Sequence, residues 1–211
     1  MAKIDSLSVL IVSTLTIGIV HALAPDHWVP FVSIGRAQNW SKTKLAWVTF
    51  ICGIGHVGSS VVIGIIGLVL GFSLSSLESI ESQRAQVAGL LLIGFGIAYA
   101  IWGLKHVHHH HHPKLDGKRS MTIWTMIAIF VLGPCEPLIP LMFVSAAHGW
   151  TAVWMVSLIF GLVTLAMMVG QALLAYIGTS MVVFKKMEHY THAVAGLVIA
   201  LTGGMVMFLG I

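Results

Sequence analysis

Charge is what this sequence most lacks. Of its 211 residues only 9% are Asp, Glu, Lys or Arg, while 57% are hydrophobic, whereas a soluble domain carries roughly 25% charged residues. A conventional water-soluble fold is thereby excluded. Cysteine is nearly absent too. Cys52 and Cys135 both fall in oily runs and cannot form a secreted disulfide framework. Long connections are missing as well: the longest runs from Lys105 to Ser120, too short for a soluble domain, so any chemistry has to sit among the apolar segments. No glycine-rich phosphate loop of the kind that binds ATP is present.

What fills the chain instead is apolar sequence in long runs. A membrane crossing needs about 20 mostly apolar residues, and segments 7–31, 44–72, 86–104, 121–146, 151–178 and 189–210 qualify. The expectation is an all-α integral membrane protein with six transmembrane helices. Lys3, an apolar run and Ala22-Leu23-Ala24 imitate a signal peptide, but Pro25 directly after the apparent site disfavours cleavage, so the first segment is read as a working helix. Connections alternate between the two faces of the membrane. Lys3 and Arg84 fall on one face, with Arg36, Lys42, Lys44, Lys105, Lys114, Lys118, Arg119, Lys185 and Lys186 on the other. The excess of positive charge marks the cytoplasmic side, which places both termini outside. It also explains the net charge of +4 without a nucleic-acid partner. Glu78, Glu81 and Arg84 read as a solvated external loop.

Marks recur about 110 residues apart. Pro25-Asp26-His27 with Pro30 answers to Pro134-Cys135-Glu136 with Pro140, and Gly53-Ile54-Gly55-His56 to Gly161-Leu162-Val163-Thr164. Three spans in each half, an odd number, force the second half to enter the membrane the opposite way. This 3+3 inverted repeat is the arrangement of many secondary transporters, whose broken helices meet near the midplane. Residues 1–104 would form the first repeat, 105–120 a cytoplasmic loop and 121–211 the second repeat. Proline lacks an amide hydrogen and clashes with the carbonyl four residues back, so helices 1 and 4 should break at Pro25 and around Pro134, Pro137 and Pro140.

The polar residues inside spans cluster at those breaks. His21, Asp26 and His27 lie at the first; Cys135 and Glu136 at the second; His56 lies in the second span with Ser59 and Ser60 on its face. An ionised group at a helix centre costs about 3 kcal/mol to insert, so such residues mark pathways through a bundle. Imidazole, carboxylate and thiolate together are transition-metal donors. His21 and His27, six apart, would not share a face of a regular helix, but a break at Pro25 can bring them to one ion. Gly53, Gly55 and Gly58 around His56 would admit a neighbouring helix.

These residues carry a resemblance. His-Ala-Leu-Ala-Pro-Asp-His, His21 to His27, is similar to the HxxxxDH signature of the nickel/cobalt transporter families, and Gly55-His56 followed by small residues resembles their second-helix histidine motif. The resemblance implies a divalent transition-metal transporter, with His21, Asp26, His27 and His56 at the metal site, carrying Ni(II) or Co(II), with Zn(II) as a further cargo, and holding no permanent cofactor. Glu136 would approach from the second half, with Cys135 a ligand or a packed thiol. The run Gly133 to Pro140 also resembles the proline-flanked cysteine motif of membrane thiol electron carriers, although the matching first-half position holds Asp26, not a second thiol. A thiol/disulfide electron carrier is therefore one alternative; an accessory protein for nickel-enzyme maturation is another. In the cytoplasmic loop His106, His108, His109, His110, His111 and His112 form a His-rich tract suited to capturing metal. The partners expected are lipid and the metal ion, with a homo-oligomer left open.

Overall fold

The computed structural model describes residues 6–107, 116–181 and 190–209, and every regular element among them is helical. Eight α-helices follow in order: α1 Ser6–Ala22, α2 Val29–Ala37, α3 Lys42–Leu70, α4 Leu74–Val107, α5 Asp116–Leu132, α6 Leu138–Ala146, α7 Trp150–Met181 and α8 Thr191–Leu209. Most of the expected metal-capturing tract, namely His108, His109, His110, His111 and His112, lies outside the described residues. Of His106 only the backbone, in α4, is described.

Four helices are individually long and apolar enough to cross a membrane: Lys42–Leu70, Leu74–Lys105, Trp150–Thr179 and Thr191–Phe208. The chain has the character of a multi-pass membrane protein. The other two expected spans are each divided, for the reason proline gives. α1 stops at Ala22, a single 3-10 turn spans Pro25–His27, and α2 resumes with Pro30 in its first turn, where a missing amide hydrogen costs nothing. α5 likewise stops at Leu132 and α6 resumes at Leu138. The unbroken α3 has firm ends. Ser41 Oγ accepts from the Lys44 amide at 3.2 Å, a side-chain N-cap, and Gly71, at φ +71, returns its amide to Gly67, a left-handed stop suited to glycine.

Each broken pair packs on an unbroken helix distant in sequence: α1 on α7, and α5 on α3. α3 also packs on α7, and α4 lies along α8. That last seam is the tightest, because a Cβ at Gly96 or Gly196 would stand within the facing backbone. Close backbone approach through small residues is a characteristic membrane-helix contact. Around His56 the expected glycine contacts divide. Gly53 and Gly55 are pressed by Leu165 and Val131, while Gly58 has nothing within 4 Å.

Two apolar clusters make the core. One gathers Phe31, Ile34, Cys52, Phe130 and Met168; the other gathers Leu10, Val57, Cys135, Leu138 and Phe160. On α3 His56 lies between a residue of the first cluster, Cys52, and one of the second, Val57, so polar chemistry sits between two oily layers. The outer faces are apolar too, with Val12, Trp47, Val69, Trp124, Leu174 and Phe208 exposed, as lipid contact requires.

The structure overturns one expectation. The third span starts at Leu74, well before 86, and Glu81 and Arg84 belong to its helix, not to a solvated loop. Glu81 is 1% exposed and the Arg84 side chain 13%. Leu77, Glu81, Arg84 and Ala88 fall three or four residues apart, hence on one inward face. Arg84 therefore leaves the count of loop charges.

Candidate metal centre

His56 stands equidistant from Lys42 and Leu70, so each arm of α3 is about 21 Å at 1.5 Å per residue. The residue is 3% exposed, and among the described residues neither ring nitrogen makes a well-formed hydrogen bond, though the Phe130 backbone carbonyl lies close enough to engage it. Buried polar atoms are nearly always satisfied, so an imidazole this weakly held at the centre of a spanning helix is an unusual feature.

The two breaks converge on it. The turn after α1 folds His27 back so that its Nε2 lies 3.1 Å from His21 Nε2, which a straight helix would forbid. Nδ1–H of His27 donates to Asp26 Oδ1 at 2.9 Å. Imidazole held by a carboxylate through its second nitrogen is the arrangement by which metal sites orient histidine. The His27 and His56 ring centroids are 5.0 Å apart, and His21 stacks near-parallel to His56 at 6.1 Å. From the other half, Cys135 Sγ reaches 3.4 Å from His21 Nε2, and the side chain is fully buried.

His21, His56 and Cys135 thus offer three donor atoms within 4.8 Å of one another, from α1, α3 and the α5–α6 break. Bonds of 2.0–2.3 Å in tetrahedral geometry separate ligand atoms by about 3.3–3.8 Å, so closure on an ion asks for roughly an ångström of contraction. Asp26 and His27 stand beside this group and engage each other. Glu136 is exposed and does not join the three donors; it lines the same cavity of about 280 Å³ as His21, Asp26, His27 and His56. A second hollow shares Glu136 and Pro137 with it and is lined also by Glu78, Glu81 and Ser82. Both cysteines are free, and they belong to different core clusters.

Sequence reading missed the polar network behind the donors. The guanidinium of Arg84 donates to Ser59 Oγ at 2.6 Å and Ser60 Oγ at 3.2 Å, to the carbonyls of Val131 at 2.9 Å and Gly133 at 3.2 Å, and to the Glu81 carboxylate. Ser60 Oγ donates to Glu81 at 3.1 Å and accepts from the Cys135 amide at 3.0 Å. The available signal was the i, i+3 spacing of Glu81 and Arg84 in phase with Leu77 and Ala88.

Against known proteins the chain is similar to a Methanocaldococcus jannaschii protein provisionally named a nickel/cobalt efflux system, 26% identical over 141 residues, 65% of this chain and 62% of the relative. The chain spans less than two thirds of that relative's length. No protein-family model matches it, and no solved structure does. The fold is that of a multi-pass helical membrane protein, and the likeness is to a protein named for metal efflux.

Proposed function

We propose that this chain is a secondary transporter of divalent transition-metal ions across the cytoplasmic membrane, and that the ion passes through the cluster of His21, His56 and Cys135. The observation carrying this reading is the convergence of those three donors within 4.8 Å, together with a buried His56 ring that makes no well-formed hydrogen bond among the described residues. Each broken helix contributes a donor, and the interrupted backbone lies beside the cavity lined by Ala24, Asp26, Gly133, Pro134, Glu136 and Pro137, where a membrane interior tolerates it.

Asp26 and His27 orient His21, and Glu136 borders both the cavity and the second hollow. The architecture behind this is a 3+3 inverted repeat, in which α1–α2, α3 and α4 correspond to α5–α6, α7 and α8. Both termini lie outside and the His-rich segment from His106 to His112 lies in the cytoplasm, where it captures metal. Ni(II) and Co(II) are the proposed cargo, on the strength of the relative's name and the first-span motif. Two imidazoles and a thiolate also suit Zn(II).

Purified protein in sealed liposomes, loaded with a metal-sensing dye and challenged in turn with Ni(II), Co(II) and Zn(II), tests the reading. Flux that disappears in His56→Ala supports it. Protein-free leak rates for all three ions would refute it.

A further inference from the structure

The geometry points to Arg84 as the positioning residue of the site: its guanidinium latches the α5–α6 break to α3 and α4 so that the Cys135 thiol faces His21 and His56. The inference rests on the metal-site reading above, in which Cys135 is a donor.

Pro134 and Pro137 lack amide hydrogens, so the chain around Cys135 cannot stay in a helical ladder. The carbonyls of Val131 and Gly133 are left to find donors elsewhere, and Arg84 supplies one nitrogen, Nη2, to both. The Cys135 amide finds its acceptor in Ser60 Oγ, which is itself held by Arg84 and Glu81. Backbone on both sides of Pro134 is thus tied to a single guanidinium. Ser60 lies one turn beyond His56 on the same face of α3, so the latch fixes the thiol relative to the imidazole it must meet. A flat fork with several donors can serve these diverging acceptors, whereas an ammonium group cannot. Glu81 orients the fork and neutralises it.

The test uses full-length protein in nanodiscs with Cys52→Ala, leaving Cys135 as the sole thiol, and Co(II) as probe. Thiolate-to-cobalt charge transfer in the near ultraviolet reports sulfur ligation, and it is read per bound cobalt so that lost folding cannot imitate lost positioning. With Cys52→Ala alone the band is present. Adding Arg84→Lys or Ser60→Ala weakens the band per bound cobalt and lowers Co(II) affinity by about 10- to 100-fold, the usual cost of an outer-shell partner. The alkylation rate of Cys135 by a small methanethiosulfonate, measured without metal, rises in the same variants. An undiminished band and unchanged alkylation in folded Arg84→Lys and Ser60→Ala proteins would overturn the role of Arg84 alone. Absence of any cobalt–thiolate band in the Cys52→Ala parent would overturn the Cys135 ligand reading on which the role depends.

Discussion

The two proline breaks solve the same problem with different materials. At the first, the freed segment is filled by its own side chains: His27 bonds Asp26 and His21, and one outside group, the Gln171 amide, donates to the Ala22 carbonyl at 3.1 Å. The second carries no imidazole of its own, and Arg84 and Ser60 reach in from α4 and α3 to hold the backbone. The first break makes chemistry from its own residues; the second presents one thiol and borrows its rigidity. The two long helices that pack on each other also differ: α3 carries His56, and α7 carries Thr164, a fully buried hydroxyl with no hydrogen-bond partner among the described residues. Donor atoms accumulate in the first half, and the second contributes Cys135 alone.

The sharpest way to break this comparison is to remove an imidazole. His56→Ala or His21→Ala should abolish metal flux in liposomes and weaken Co(II) binding by more than the roughly 10- to 100-fold loss typical of an outer-shell partner. Cys135→Ser should act in a different manner. It replaces a soft donor by a hard one, so relative affinities in competition titrations of Zn(II) against Ni(II) should shift away from zinc while the protein stays folded. On stability the second break is the vulnerable one: Arg84→Ala strands the buried Glu81 carboxylate and should cost about 3–5 kcal/mol in unfolding assays. Glu81→Gln in the same chain should return part of that loss. Gln171→Ala, at the first break, removes one neutral hydrogen bond and should cost only about 1 kcal/mol. Equal losses from Arg84→Ala and Gln171→Ala would erase the distinction drawn between the breaks.

Much of this is legible in the residues. Prolines inside apolar runs locate both interruptions because the loss of an amide hydrogen is a local property, and His21, Asp26, His27 and His56 stand out because lipid penalises them. Partnership is less legible. Whether Cys135 or Glu136 is buried depends on how the chain leaves Pro134, and the structure buries the thiol and leaves Glu136 exposed at the edge of the cavity lining. Glu81 and Arg84 read as surface because charge usually means solvent; what makes them interior is their mutual pairing, a tertiary fact. The α4–α8 seam also escapes a reading of hydropathy alone, although Gly89, Gly96 and Gly103 repeat every seven residues opposite Gly196 and Gly203.

The central claim is that a donor from each broken helix meets His56 on one ion. X-ray absorption of the purified protein loaded with Co(II) addresses it directly. The account predicts a shell with one sulfur at about 2.3 Å and at least two imidazole nitrogens at about 2.0–2.1 Å, with the sulfur absent in Cys135→Ser and an imidazole lost in His56→Ala. A first shell of light atoms alone, identical in the parent protein and Cys135→Ser, would contradict it.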